Sequence, residues 1–168
     1  PTRNGVSPSC VALPLLPPGE LRWPTALDFL CERLPTVDRD AWTRRLATGE
    51  VMNEAAQTVG TDTPYQGGGR LYYWRLLVAE PEIPFEARVV HRDEQLLVVD
   101  KPHFLPVTPT GRFVQQSLLV RLKRETGIET LSPIHRIDRE TAGLVLFSVR
   151  PQDRSAYQAL FREREVDK

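Results

Sequence analysis

Apolar residues recur along the chain with two different spacings, and each spacing predicts a different kind of element. Four segments carry apolar residues three or four positions apart, which is typical of amphipathic helices. The predicted helices cover residues 25–34, 38–48, 117–126 and 153–164. The first three begin at a candidate N-cap, which is Thr25, then Asp38 or Asp40, then Ser117. Gly49 and Gly127 follow two of these helices, at the position where a left-handed residue commonly ends a helix.

Short runs of β-branched, leucine and aromatic residues predict strands between the helices. These strands cover residues 51–53, 70–77, 87–91, 95–100 and 144–149. Turn residues at 92–94 join two of them into a predicted hairpin. Helices and strands in this order predict an α+β fold, with a small helical and β domain first and a domain around a mixed or antiparallel sheet second.

Proline-rich stretches mark the predicted domain boundaries. Residues 1–24 are rich in proline and have no hydrophobic period, so we expect an extended N-terminal arm. Residues 25–78 form the first predicted domain. Residues 79–86 place two prolines among acidic side chains, which is typical of a linker, and residues 87–168 form the second domain.

The composition excludes several classes of protein. Hydrophobic residues make up 40% of the 168 positions and charged residues 26%, as in ordinary globular proteins. No run approaches the ~20 apolar residues of a membrane span. Cys10 and Cys31 are too few for a disulfide framework, and scattered histidines predict no metal site.

The charge of the chain bears on nucleic-acid binding in two ways. The 22 basic and 22 acidic residues cancel, whereas nucleic-acid-binding proteins usually carry a basic excess. Basic residues nevertheless cluster locally, at Arg44 and Arg45 and at Arg136 and Arg139. A role in RNA binding therefore depends on these clusters rather than on the net charge.

The segment "HRIDRETAG", residues 135–143, contains the candidate catalytic residue of the chain. Asp138 lies between Arg136 and Arg139, and a nearby guanidinium favours the ionised form of a carboxyl group. An ionised aspartate is suited to act as a nucleophile or as a base. Thr141 and Gly143 belong to a small-residue turn, and the apolar run after them anchors that turn in a core. The same pattern also fits an aspartate that only bridges to an arginine and ties a loop to the sheet.

Two motifs resemble one known family, the RluA-type pseudouridine synthases. "HRIDRETAGLVLF" is similar to the family signature, whose catalytic aspartate falls on Asp138. "LLVVDKPHFLPVTPTG", residues 96–111, is similar to a second family motif, with Phe104 in place of the usual glycine. The resemblance covers roughly residues 87–168.

The first domain resembles the S4 RNA-binding module that often precedes such catalytic domains. The likeness lies in two helices followed by "RRLATGEV". The sequence departs from the module after that point, with Met52-Asn53-Glu54 and the glycines at 67–69 in place of its usual motifs. We therefore expect a degenerate S4-like domain, in which Arg44 and Arg45 are the candidate RNA contacts.

The resemblance implies an RNA pseudouridine synthase that isomerises uridines in structured ribosomal or transfer RNA. It implies that Asp138 is catalytic and that the target nucleotide is extruded from its stack. Arg136, Arg139 and Lys101 become candidate RNA contacts, although Lys101 also fits an ordinary surface residue. His135, Thr141 and Gly143 become supporting residues, with His135 orienting its neighbours by a hydrogen bond. The isomerisation needs no cofactor and no metal, and we expect a cytoplasmic monomer without membrane contact.

Two alternatives and one expectation about the chain end remain open. The first alternative is a non-catalytic RNA-binding protein that retains only the fold. The second is a hydrolase that uses a hydrogen-bonded pair of His135 and Asp138. "FREREVDK" is similar to the helix end that leads to a Lys-x-Tyr motif of the family, with its lysine at Lys168, so we expect these residues alone to be inactive. An Asp138 sealed in the core would contradict the catalytic interpretation.

Overall fold

The computed structural model describes residues 2–75 and 79–166 and divides into two compact units. Residues 7–75 form the first unit. Residues 2–6 and 79–166 belong to the second unit. No helix in the described part of the chain is long and apolar enough to cross a membrane.

The first unit combines two helices with a three-stranded antiparallel sheet. Its elements are β1 (Ser9–Ala12), α1 (Ala26–Arg33), α2 (Arg39–Ala47), β2 (Val51–Met52) and β3 (Arg70–Tyr73). The strand order is β1-β3-β2, so β3 pairs with both neighbours. The predicted helices are confirmed, and β1 is a strand that the sequence analysis did not predict.

Side-chain caps explain where the two helices begin. The Thr25 hydroxyl accepts a hydrogen bond from the Asp28 backbone at 3.2 Å, and the Asp28 carboxylate accepts one from the Thr25 backbone at 3.1 Å. This capping box satisfies amide groups that a helix start leaves without partners. Asp38, rather than Asp40, caps α2 by accepting from Ala41 at 2.7 Å. The hydrogen bonds from Thr25 and then from Arg39 lower the pKa of Asp28.

The core of the first unit combines aliphatic side chains with a group of aromatic rings in contact. The Trp23 ring lies 5.0 Å from Phe29 and 4.9 Å from Tyr65, and the Trp42 ring lies 5.2 Å from Tyr73. Trp23 is buried although it belongs to the stretch 1–24, and β1 in the same stretch pairs with β3. The expectation of an extended arm is therefore wrong for this stretch, because its side chains and backbone complete the core and the sheet.

The second unit contains a four-stranded antiparallel sheet and two helices. Its elements are β4 (Arg88–Arg92), β5 (Leu96–Lys101), α3 (Leu118–Thr126), β6 (Ser132–Pro133), β7 (Gly143–Ser148) and α4 (Arg154–Arg162). The strand order is β4-β5-β7-β6, and every pair is antiparallel. The α+β prediction is confirmed, and the antiparallel alternative is the one that the structure adopts.

The two central strands carry the hydrophobic core and bring both sequence motifs to one edge of the sheet. Leu97, Val99, Val145 and Phe147 are fully buried, and α3 covers them with further apolar side chains. The register pairs the last residue of β5 with the first residue of β7. The loop that follows β5 and the turn that precedes β7 therefore lie side by side.

The stretch predicted to be a linker is attached to the second unit. The Glu80 carboxylate accepts hydrogen bonds from three successive backbone amides just before α3, at 2.8–2.9 Å. Arg121 of α3 donates to the carbonyls of Ile83 and Phe85 at 2.7 and 2.8 Å. Residues 80–85 are thus fixed along α3 by charged hydrogen bonds that are stronger than neutral ones.

Candidate active site

Asp138 lies in a tight turn directly before β7. The Asp138 carbonyl accepts the Thr141 backbone N–H at 3.1 Å, which closes the turn. Gly143 begins β7 at a φ of 139°, a conformation that glycine adopts far more readily than other residues. Ile137 packs against the hydrophobic core from the other side of Asp138. The turn is therefore fixed by backbone bonds on one side and by apolar packing on the other.

Asp138 lines an open cleft of about 430 Å³. Arg136, Ile137 and Arg139 share this cleft with residues of the loop between β5 and α3, which are Pro106, Val107, Thr108 and Thr110. The α3 amides of Leu118 and Leu119 donate to the Pro106 and Val107 carbonyls, which holds that wall in place. Asp138 is exposed rather than sealed in the core, so the cleft leaves its carboxylate accessible.

The two arginines do not bind Asp138 as the sequence suggested. Within residues 2–75 and 79–166, no ion pair joins the Asp138 carboxylate to a basic side chain. Arg139 turns away, because its Nε donates to the Phe104 carbonyl at 3.2 Å and its guanidinium lies 5.1 Å from the Phe113 ring centroid. The proposed ion pair is therefore absent from this structure, and neither the flanking arginines nor a purely structural bridge accounts for the position of Asp138.

Arg136 is the accessible cation of the cleft. It is exposed, and its side chain forms no hydrogen bond or ion pair with another described residue. A planar guanidinium in this state remains available to a phosphate or to an aromatic base. Among the described residues, the cleft thus presents the unpaired carboxylate of Asp138 and the unpaired guanidinium of Arg136, which lies just before the turn.

Lys101 corrects an expectation of the sequence analysis. It is 0% exposed, and its ammonium group donates to the carbonyls of Pro102, Leu105 and Arg139 at 2.9, 2.8 and 3.2 Å. Burial lowers the pKa of Lys101, because removal from water disfavours its charged form. Lys101 is therefore neither a surface residue nor an accessible RNA contact, and it instead links the loop after β5 to the Asp138 turn.

Three hydrogen bonds connect this loop to the turn. Besides the bond from Lys101 to the Arg139 carbonyl, the Arg139 side chain binds the Phe104 carbonyl, and His103 Nδ1 lies 2.6 Å from the Glu140 carbonyl. The bonds run in both directions between residues 101–104 and residues 139–140. These hydrogen bonds hold the loop and the turn together next to the cleft.

His135 contacts β7 and α4 and does not form a hydrogen-bonded pair with Asp138. Its Nε2 accepts the Leu146 backbone N–H at 3.2 Å, and its ring stacks on Phe161 of α4 at 4.5 Å. No hydrogen bond joins His135 to Asp138 in the described part of the chain. The hydrolase alternative lacks, among the described residues, the hydrogen-bonded pair on which it depended, and the orienting role of His135 stays a prediction.

The remaining predicted site residues lie elsewhere. Arg44 is exposed on α2 of the first unit, and the Arg45 guanidinium lies 5.2 Å from the Trp42 ring centroid. Lys168 lies outside the described residues. The sequence analysis missed His103 and Arg112, although each is a cationic or polar residue within a quoted motif or immediately after it. Arg112 lies over the Phe113 ring at 5.3 Å, the same ring that Arg139 contacts.

Comparison with known proteins identifies the class to which the chain belongs. Residues 95–168 match the family model described as RNA pseudouridylate synthase. An uncharacterized RNA pseudouridine synthase of Synechocystis sp. is 39% identical over 137 residues, which are 82% of this chain and 47% of that protein. The tRNA pseudouridine(31) synthase of Saccharomyces cerevisiae is 38% identical over 80 residues, 48% of this chain and 19% of the yeast protein. The chain therefore belongs to the RNA pseudouridylate synthase family, which confirms the resemblance of its motifs.

The chain also has partial similarity to a solved structure. Human RNA Pseudouridylate Synthase Domain Containing 4 is 31% identical, with a TM-score of 0.38, over 46% of this chain and 30% of that one. The chain spans less than half the length of the two curated relatives named above.

Proposed function

We propose that the protein isomerises uridine to pseudouridine in RNA and that Asp138 is the catalytic residue. The observation that carries the proposal is the position of Asp138. Its carboxylate is exposed in an open cleft, and its turn is fixed by Lys101, Thr141 and the apolar core. A rigidly held and accessible carboxylate is what covalent or general-base chemistry on a bound nucleotide requires.

The reaction follows from the chemistry of the two isomers. The bond between the ribose C1′ and the uracil N1 breaks, the base turns, and a bond forms between C1′ and C5. The proton on C5 is released and N1 gains a proton, so the atoms balance and no oxidation or reduction occurs. The Asp138 carboxylate assists either by attacking C1′ or by removing a proton from the sugar, and both roles need its ionised form.

Arg136 is the candidate for holding the RNA at the cleft. A base inside a stacked helix is out of reach, so the target nucleotide must leave the stack. An exposed guanidinium beside the carboxylate is suited to bind the backbone phosphate of that nucleotide or to stack on a neighbouring base. Arg139 is a weaker candidate, because its side chain already binds the Phe104 carbonyl.

A strain that lacks the gene tests the activity. Cellular RNA from this strain and from its parent is mapped for pseudouridine, and the full-length gene is returned as wild type, as Asp138→Asn or as Asp62→Asn. Asp62 is an exposed aspartate of the first unit and serves as the control. We expect the wild type and Asp62→Asn to restore the lost pseudouridine, and Asp138→Asn to restore none while the purified variant still binds the RNA.

The competing candidate is a non-catalytic RNA-binding protein. It predicts identical pseudouridine maps in the two strains, or full restoration by Asp138→Asn, and either result would refute the catalytic role. Asparagine has nearly the shape of aspartate but carries no charge, so this variant separates the chemistry from folding.

The finer assignments extend the proposal. We infer that the substrate is structured transfer or ribosomal RNA, and one relative is named as a tRNA pseudouridine synthase. We further infer that the first unit is S4-like, that Arg44 and Arg45 on α2 contact the RNA, and that the protein acts as a cytoplasmic monomer. The exposed position of Arg44 supports this role more strongly than that of Arg45, which packs against Trp42.

A further inference from the structure

Two phenylalanines of the second unit expose their rings beside each other. Phe104 is 46% exposed and Phe85 is 44% exposed, and their ring centroids lie 6.1 Å apart with a tilt of 41°. His103 adds a third exposed ring 6.0 Å from Phe104. Exposed aromatic side chains that cluster in this way are uncommon on a protein surface unless they meet a ligand.

The backbone of Phe104 is strained. Its φ is 63°, which places a bulky residue in the left-handed region that glycine favours. A side chain in this conformation raises the energy of the folded chain, and such residues concentrate at functional sites. The strain has no compensation in core packing, because the ring itself remains exposed.

The exposed rings are coupled to the Asp138 turn. The Phe104 carbonyl accepts the Arg139 Nε at 3.2 Å, and Arg139 follows Asp138 directly in the chain. The His103 ring is bonded to the Glu140 carbonyl of the same turn. Phe85 is held in place through its own carbonyl, which accepts from Arg121 at 2.8 Å. Residues 103 and 104 are therefore bonded to the turn that carries Asp138, while the backbone of Phe85 is bonded to α3.

The charges around this surface suit a nucleic acid. The Arg112 and Arg139 guanidinium groups lie over the same Phe113 ring, at 5.3 and 5.1 Å, and Arg136 stands in the adjacent cleft. Cationic side chains that follow a backbone, interleaved with aromatic rings on which bases stack, are how proteins hold single-stranded nucleic acid.

We propose that Phe104, supported by Phe85, is a stacking platform for an unpaired RNA base next to the nucleotide that enters the Asp138 cleft. The inference rests on the proposed function and adds a subsite that positions the RNA chain. Phe104 takes no part in bond making. It holds a flanking base, so that the target uridine reaches Asp138 in a defined orientation.

The test uses the full-length protein and a synthetic RNA stem-loop copied from a site that the pseudouridine map identifies. 2-Aminopurine replaces each nucleotide that flanks the target uridine in turn, since the fluorescence of this base changes when it stacks on an aromatic ring. The proteins compared are wild type, Phe104→Ala, Phe104→Gly, Phe104→Tyr and Phe85→Ala. Val90→Ala, which trims a 51% exposed apolar residue of β4, is the matched control.

We expect one flanking position to report stacking in the wild type, and that signal to vanish in Phe104→Ala and Phe104→Gly. RNA affinity and kcat/KM should fall roughly ten-fold in these two variants, the range that stacking on one aromatic ring supports. The kcat at saturating RNA should change less than kcat/KM, because the ring positions the RNA and does not react. Phe104→Tyr should behave as wild type, Phe85→Ala should show a smaller loss, and Val90→Ala should show none.

Two results would overturn the inference. One is a Phe104→Ala protein with wild-type affinity and fluorescence. The other is a lower melting temperature of the RNA-free variant with unchanged RNA affinity, which would show that the rings pack against protein. Asp138→Asn should keep the stacking signal while losing turnover, so the platform and the catalytic proposal can fail separately. If no RNA depends on the gene, the two proposals fall together.

Discussion

The helix caps of the first unit and the hydrogen bonds around the Asp138 turn of the second unit use polar side chains in different ways. In the first unit, Thr25, Asp28 and Asp38 complete the ends of α1 and α2, and each acts within a few residues of its own position. In the second unit, Lys101 and Arg139 bind backbone carbonyls across two segments that are far apart in the chain. The first arrangement stabilises local structure, whereas the second holds the backbone turn that carries the exposed Asp138.

This difference indicates where to look for chemistry in a small domain. A polar group that caps a helix is explained by its helix, and nothing further is required of it. A fully buried lysine carries a large desolvation cost, and the structure around Lys101 offsets it with three carbonyls of which one belongs to the Asp138 turn. The candidate site lies next to a buried lysine whose hydrogen bonds do not complete a helix or a strand but join a loop to the Asp138 turn.

The largest effect on stability should come from the aromatic core of the first unit. Trp42 is 0% exposed and contacts Tyr73 edge to face. Trp42→Ala should lower the free energy of unfolding by about 3–5 kcal/mol, because it leaves a cavity. Trp42→Phe, which keeps a ring, should cost much less. Chemical denaturation checks both values, and a loss below about 1 kcal/mol for the alanine variant would show that this core is not well packed.

The three hydrogen bonds of the Lys101 ammonium group should give the next largest effect. Lys101→Met removes the ammonium group that donates to three carbonyls, one buried and two partly buried, so we expect a loss of about 2 kcal/mol in stability. Turnover on RNA should fall as well, because the Asp138 turn loses one of its links to the neighbouring loop.

Lys123→Met provides the control for this measurement. Lys123 is also buried, but it lies on α3 rather than on the loop or the turn. The Lys123→Met substitution should therefore leave kcat unchanged, whatever its effect on the free energy of unfolding. Equal losses of kcat in the two variants would show that Lys101 has no specific role at the turn.

The capping box of the first unit should give a smaller and pH-dependent effect. Thr25→Ala should cost about 1 kcal/mol at neutral pH, as removal of an N-cap commonly does. The pKa of Asp28 is lowered in the folded state, mainly by the hydrogen bond from Thr25. The stability from Asp28 is thus complete above the pKa of an unfolded aspartate, about 3.9, and is lost as the pH falls through the lower folded value.

Thermal melts between neutral and acidic pH test this prediction. The wild type should lose stability on acidification to a greater extent than Asp28→Asn, because the variant lacks the carboxylate that becomes protonated. Parallel curves for the two proteins would contradict the role given to Asp28.

The smallest effect should be a gain in stability at Phe104. Phe104→Gly relieves the left-handed strain and should raise the free energy of unfolding by up to about 1 kcal/mol. Phe104→Ala retains the strain and should show no such gain. A glycine variant that is more stable but binds RNA more weakly would show that the ring contributes to binding at the expense of stability. A glycine variant that is less stable would show that the ring packs favourably against the protein.

The sequence alone placed most helices and strands well, because the signals for them are local. Thr25, Asp38 and Ser117 precede the three helices that they were predicted to begin, and Gly127 adopts the left-handed conformation that ends α3. β1 was missed because its strand character comes from pairing with β3, which lies about sixty residues later. The family could also be recognised from sequence, because its motif is one contiguous segment.

The sequence determined that an aspartate, two arginines and a small-residue turn stand together before a buried strand. Three further facts depend on long-range packing: the arginines do not pair with Asp138, Lys101 is buried, and Phe104 exposes a strained ring beside the turn. Caps and periodicity act within a few residues, so they can be read from the chain. Lys101 binds the Arg139 carbonyl across 38 residues of the chain, and Arg139 binds the Phe104 carbonyl across 35. The register of β5 on β7 brings these distant partners together.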